Sequence, residues 1–187
     1  MKKILLASKS PRRREIMQLL RIPFTVVSLE GEDESYPADL PAERVSEYIS
    51  GKKADAFLQR IGSDEILVTA DTVVILDNKI LGKPKSLQDA KDMLRMLAGK
   101  THKVTTGVTV VSCHKRKSFT VESLVKFGAL TDEEINYYVD TFHPLDKAGA
   151  YGIQEWIGVV AVEKIDGSFY NVMGLPVQRL YQVLKEF

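Results

Sequence analysis

Three places in the sequence set residues suited to phosphate chemistry where local rules disfavour them. The run Ser8-Lys9-Ser10-Pro11-Arg12-Arg13-Arg14 follows a short apolar strand and opens a helix. A helix N-terminus carries a partial positive charge and favours acidic side chains, yet this one receives three arginines. They are either solvated, with screened repulsion, or offset by a bound anion. Free backbone N–H groups, serine hydroxyls and guanidinium forks together make a phosphate cradle. It is not a P-loop, because the glycine-rich GxxxxGK[ST] pattern is absent. Asp71 interrupts the apolar run Ile66–Leu76. A carboxylate there suffers desolvation unless paired or metal-bound, so it is a structural cap, a general base, or a ligand for a divalent ion. Lys53 lies four residues after Ile49 and four before Phe57, on the apolar stripe of a helix. Such a lysine either snorkels to solvent or reaches inward toward phosphate.

Weaker signals surround these. Gly82-Lys83-Pro84 puts a lysine in a rigid turn, either as a surface charge or as a phosphate contact. Asp146-Lys147 reads as an exposed ion pair. Gln154 is a surface amide or a reader of a base edge through its donor and acceptor. Asp33 and Glu34 lie in a polar loop and would form a metal site only if Asp71 were near. His102, His114 and His143 show no ligand or triad pattern, Cys113 reads as structural, and Trp156 reads as packing or, from its place just past Gln154, as stacking. Several cations, two or three carboxylates and no nucleophile–base pair point to metal-assisted phosphoryl chemistry with water as nucleophile.

The elements that must hold these residues follow from periodicity and punctuation. A strand is expected at Ile4–Ala7. A helix capped by Ser10 runs to about Leu20, with Ile16, Leu19 and Leu20 on one face. Residues 23–29 resemble a second strand. A helix from near Pro41 to Ile61 presents Val45, Tyr48, Ile49, Phe57 and Ile61. Strand Glu65–Leu76 turns at Asp77-Asn78-Lys79, and Ser86 opens a helix with Asp89 as a capping-box-like partner and Gly99 near its end. Strands His102–Cys113 and Ser118–Phe127 precede a helix opened by the capping box Thr131/Glu134. A strand over 158–165, a turn at Asp166-Gly167-Ser168, a last strand and a closing helix with Val177, Leu180, Tyr181 and Leu184 complete the chain. The fold class expected is α/β: a mixed sheet with helices packed around it.

At 187 residues the chain suits one domain or two small lobes sharing a core. A net charge of +1 gives no global attraction for nucleic acid or anionic lipid, so any phosphate ligand must be held by local clustering. One cysteine excludes an internal disulfide and fits a reducing cytoplasm. No stretch is long and apolar enough to span a bilayer. The expectation is a cytoplasmic protein without nucleic-acid or membrane partners.

The sequence resembles the Maf family of nucleotide pyrophosphatases. The resemblance rests on Leu6–Glu15, Asp33-Glu34, Ala70–Val74, Leu81–Pro84, Leu145–Gln154 and Gly174-Leu175-Pro176, six blocks in family order over nearly the whole chain. It implies a single domain over 1–187, with two lobes around one central cleft in an elongated fold similar to inosine triphosphate pyrophosphatases. It implies cleavage between the α and β phosphates, dependent on a divalent metal cation such as Mg²⁺, Mn²⁺ or Co²⁺. By position, Asp71 looks like the proton acceptor that activates water. Ser8, Arg12, Arg13, Lys53 and Lys83 look like phosphate contacts, and Glu34 with Asp71 like metal ligands. Arg12, Thr72 and Gln154 resemble the branch acting on dTTP and UTP. One departure is Glu155-Trp156, where the family more often has glycine after the glutamine. The resemblance also suggests a homodimer. Two rivals remain: a nucleotide or nucleic-acid sensor without turnover, and a non-catalytic regulator of cell division and septum formation.

Overall fold

Ile4, Leu5, Leu6 and Ala7 are all buried because their strand has neighbours on both edges. In the computed structural model, which describes residues 2–28 and 33–187, strand β1 (Lys3–Ala7) pairs in parallel with β2 (Phe24–Val27) and β3 (Glu65–Leu76). The register sets Ala7 against Thr69, so Ser8 leaves β1 alongside Ala70 and Asp71. The sheet runs β2-β1-β3-β5-β6-β7, where β5 is Thr101–Val111, β6 Arg116–Phe127 and β7 Val162–Asp166. Strand β4 (Lys79–Leu81) folds back antiparallel on β3 through Asp77 and Asn78, both with positive φ as a two-residue hairpin turn requires. β7 is antiparallel to β6, so the sheet is mixed, as expected. The expected second strand reached Leu29, which lies outside the described residues.

The chain forms two compact units. The first comprises residues 1–72, 106–121 and 174–187, and the second 73–105 and 122–173. In the first, helix α1 (Pro11–Gln18) starts at the Ser10 cap, whose hydroxyl accepts from Arg13 N–H at 3.4 Å. The helix stops at Gln18, so Ile16 and Met17 form its buried face and Leu19 is exposed, contrary to the expected stripe. Helix α2 (Ala42–Phe57) buries Val45, Ser46, Ile49, Ser50, Lys53, Ala54 and Phe57. It tightens into a 3-10 turn at Leu58–Arg60, which leaves Ile61 outside the helix, while Tyr48 faces solvent. The small residues set the docking distance. A Cβ on Gly107 of β5 would lie 2.2 Å from Glu47 N. Hydroxyls then satisfy the close approach: Thr69 Oγ1 donates to Ser50 O at 2.7 Å, and Ser50 Oγ meets Thr109 Oγ1 at 3.0 Å. Beyond these contacts Leu5, Ala7, Ala54, Phe57, Leu67 and Val111 form a local core. Helix α7 (Val177–Leu184) adds Val177, Leu180 and Val183 to the buried set, while Tyr181 is largely exposed.

The second unit has its own core, built on Leu94 and Leu97 of helix α3 (Leu87–Leu97), Ile135, Tyr138 and Val139 of α4 (Asp132–Phe142), and Phe127 and Tyr151. Thr131 and Glu134 form the full capping box expected. Ser86 caps Asp89 N–H, but the Asp89 carboxylate accepts from Lys85 instead of closing a box. Two expectations fail here. The segment expected as one strand over 158–165 is helix α5 (Trp156–Ala161) followed by β7. Ile157 and Ala161 are buried at helical spacing, while Val159 and Val160 project outward. The last strand is instead helix α6 (Phe169–Met173), started by the Ser168 hydroxyl accepting from Asn171 N–H at 3.3 Å. Asn171 is fully buried, and its amide donates to Val104 O and Ser123 Oγ.

Candidate active site

In the first unit, two consecutive lysines of α2 hold the acidic loop. Lys52 Nζ donates to Asp33 Oδ2 at 2.7 Å and to Ser35 O at 2.9 Å. This ammonium holds the Asp33 carboxyl well below the usual carboxylate range. One residue on, Lys53 Nζ donates to Glu34 Oε1 at 2.9 Å and to Asp71 Oδ1 at 3.0 Å. Lys53 is therefore turned inward, with 7% exposure, and does not snorkel. The sequence supplies the reason: its helical position falls on the buried stripe between Ile49 and Phe57, and a carboxylate waits on the strand beneath.

Asp71 is buried among the apolar residues of β3. That burial pushes its carboxyl upward, and the nearby Lys53 and Arg13 offset the shift only in part. Burial also acts against charge on Lys53, but Asp71 and Glu34 outweigh it and raise the ammonium above its ordinary value. The pair thus consists of a firmly protonated lysine and a carboxylate more basic than one in water.

The arginine-rich turn divides its labour. Arg13 donates from Nε to Gly174 O at 2.8 Å, from Nη1 to Ala70 O at 2.8 Å and from Nη2 to Thr72 Oγ1 at 3.0 Å. Its fork brackets Asp71 in the chain, gripping the residues on either side. All three guanidinium nitrogens are thereby engaged. Carbonyl oxygens answer much of the charge that made this turn anomalous in sequence. Thr72 Oγ1 also meets Thr106 Oγ1 at 2.9 Å. Ser8 is buried and its hydroxyl accepts from Ser10 N–H at 3.2 Å, while Arg12 is half-buried beside it in the first turn of α1. The structure therefore brings Ser8, Arg12, Arg13, Glu34, Lys53, Asp71 and Thr72 together in one unit.

Lys83 and Gln154 belong to the second unit. Lys83 is exposed in the turn after β4, where Gly82 O accepts from Gly149 N–H at 3.1 Å. Gln154 is exposed at the tip of a turn. Lys147 corrects the sequence reading: it is 7% exposed, not a surface partner, and its ammonium lies between Asp146 Oδ1 at 2.7 Å and Glu155 Oε1 at 3.1 Å. Sequence reasoning also missed Thr106, the Gly174 carbonyl and Tyr138. Glu155 and Trp156 have local uses: the carboxylate binds Lys147 and Tyr138, and the indole packs edge-on against Tyr137 at 4.9 Å.

Two hard oxygen donors, Glu34 and Asp71, converge on one cation within hydrogen-bond distance. Among the described residues no cluster of three or more acidic, histidine or cysteine side chains exists. Carboxylate oxygens suit a hard divalent ion such as Mg²⁺, whose remaining ligands would come from a polyphosphate and water.

The fold is an α/β sheet that sets one buried carboxylate, Asp71, against a buried lysine, with an arginine-rich helix start in the same unit. Its full length matches the HAM1 protein from Coxiella burnetii with a TM-score of 0.52 at 14% identity, covering 100% of both chains, a likeness of fold alone. The Maf family model, described as Maf-like protein, matches residues 3–187, and the chain belongs to the Maf family. A relative from Bacteroides thetaiotaomicron named dTTP/UTP pyrophosphatase is 54% identical over 98% of this chain and 95% of its own. One of the same name from Parabacteroides distasonis is 51% identical over 99% and 96%.

Proposed function

We propose that this protein hydrolyses nucleoside triphosphates, dTTP and UTP foremost, to the monophosphate and pyrophosphate. The observation that carries the reading is the buried Lys53 ammonium held between Glu34 and Asp71. A site meant only to bind polyphosphate has no use for two carboxylates beside it. The names of the Maf relatives support the same substrates.

In the reaction, a water oxygen attacks the α phosphorus and the bond to the bridging oxygen of the β phosphate breaks. Asp71 takes the proton from the attacking water, a task suited to a carboxylate whose basicity burial has raised. Lys53 favours the ionised form of Asp71 and holds its orientation. Glu34 and Asp71 would hold a divalent cation, which supplies charge neutralisation for the pyrophosphate leaving group. Ser8, Arg12, Arg13 and Lys83 are the proposed phosphate contacts. Thr72 and Gln154 discriminate the base. Avoiding incorporation of modified pyrimidine nucleotides into nucleic acids is a natural use for such an activity. The setting proposed is the cytoplasm, with the chain as a homodimer; among the described residues no helix is long and apolar enough to cross a membrane.

Pyrophosphate release from dTTP and UTP, measured with Mg²⁺, Mn²⁺ or Co²⁺, tests the reading. Asp71→Asn preserves shape and should lower kcat by roughly two to four orders of magnitude, the loss of a general base. Wild-type turnover by that variant would refute the assignment.

A further inference from the structure

The turn Gly152-Ile153-Gln154-Glu155 is closed more tightly than its exposure requires. Its backbone bond runs from Glu155 N–H to Gly152 O at 2.9 Å. The Tyr138 hydroxyl, on a fully buried side chain of α4, joins both ends of the turn. It accepts from Gly152 N–H at 3.0 Å and donates to Glu155 Oε2. The other carboxylate oxygen of Glu155 accepts from Lys147, itself buried and tied to Asp146. The Glu155 side chain folds back so closely that a Cβ on Gly152 would lie 2.7 Å from its Cδ. From the far side, α5 presses Gly158 against the turn, where a Cβ would lie 1.8 Å from Ile153 O. Ile153 is buried in the core of the second unit. Only the Gln154 side chain projects.

A buried ammonium, a buried phenol and a mostly buried carboxylate are an expensive way to close a surface turn. Each is desolvated, and their value lies in mutual satisfaction and in a single backbone geometry. Burial and the Glu155 acceptor both push the Tyr138 phenol upward, so it stays a donor to the carboxylate. A primary amide held at a fixed origin can match the donor–acceptor face of a thymine or uracil ring, accepting from N3–H and donating to a ring carbonyl.

We infer that Tyr138 and Glu155, closed into a hydrogen-bonded ring through Gly152 and braced from outside by Lys147, are positioning residues that fix the turn from which Gln154 reads the pyrimidine base. This rests on the assignment of Gln154 as base reader. The ring itself touches no substrate; it sets how much selectivity the amide can deliver.

The test compares Tyr138→Phe and Glu155→Gln with Gln154→Ala and with the double variant Gln154→Ala/Tyr138→Phe, all as full chains. Two quantities are read: the ratio of kcat/KM for dTTP over dCTP, and amide hydrogen exchange across residues 151–155. Tyr138→Phe should speed exchange in the turn at least tenfold and lower the ratio roughly fivefold to tenfold, the size of one net hydrogen bond. The loss should fall mainly on KM. The double variant should be no less selective than Gln154→Ala alone, because the ring acts through that side chain. Glu155→Gln, whose side chain is partly solvated and tolerant, should show a smaller loss in the same direction and keeps the test alive if Tyr138→Phe folds poorly. An unchanged ratio in both ring variants, with Gln154→Ala impaired, overturns the inference alone. Additive losses in the double variant overturn it too. An unchanged ratio in Gln154→Ala overturns the base-reader assignment and the purpose given to the ring, whatever the exchange data show.

Discussion

Replacing Lys53 with methionine keeps most of the side-chain volume and removes the ammonium from between two carboxylates. Lys53 and Asp71 are both buried, with Nζ 3.0 Å from Oδ1. Their attraction at that separation is of order 5 kcal/mol for an effective dielectric near 20. Removing one partner of a buried pair strands the other, with losses of about 3–5 kcal/mol. Glu34 is partly exposed and water can take over there, so most of the loss belongs to Asp71. Lys53→Met should therefore lower unfolding stability by about 3–5 kcal/mol at pH 7, a shift of roughly 2 M in the urea midpoint for a chain of this size. Its Asp71 carboxyl should rise further, moving the acidic limb of the pH–rate profile upward if Asp71 is the base proposed above, since a base must lose its proton to act. Adding Asp71→Asn removes the stranded charge, so the double variant should recover about 2 kcal/mol or more relative to the sum of the singles. Urea unfolding of the wild type, both singles and the double closes the cycle. Additivity within about 0.5 kcal/mol would refute the argument that burial couples these two residues.

Other outcomes follow from the same geometry. Arg13→Lys keeps the charge but cannot hold Gly174 O, Ala70 O and Thr72 Oγ1 together, so urea unfolding should show a loss of about 3 kcal/mol, with a fall in kcat from the loosened Asp71 flank. Gly107→Ala should lower Tm by roughly 6–12 °C, because its methyl meets α2 backbone and overpacking on this scale amounts to about 3 kcal/mol; Gly82→Ala, with open space around it, is the control. Burial holds His102 down to about 4. Its neutral form is the folded one, so the unfolded chain binds the extra proton first as pH falls below about 6.5. Stability should therefore be complete above about 6.5 and decline between about 6.5 and 4 by up to about 3 kcal/mol, and His102→Phe should flatten that part of the curve in pH-dependent unfolding.

Much of the site was legible because its residues break local rules. Asp71 stands out in a strand whose other residues are almost all apolar, and Lys53 stands out on a buried helical stripe. The pairing of the two was not legible, because they are 18 positions apart and meet only when α2 lies on β3. By residue type alone Arg13 looked equivalent to its neighbours Arg12 and Arg14. Its distinct role depends on the Gly174 carbonyl, 161 residues away. The failures have the same character. Residues 158–165 carry an apolar run that suits strand or helix equally, and only the burial of Ile157 and Ala161 at helical spacing separates the two. Lys147 read as solvated because its pair with the adjacent Asp146 is visible in sequence, while its burial against Glu155 is not.

The sequence by itself determined the chemistry available: cations at a helix start, carboxylates out of place, a mixed set of strands and helices, and the family blocks in order. Local signals suffice for these, since capping, periodicity and turn residues act over a few positions. Only the tertiary structure decided which cation faces which carboxylate, which arginine braces the backbone, and which surface-looking residues are buried. Those outcomes arise from long-range packing, where desolvation makes each pairing obligatory and no neighbouring residue announces it.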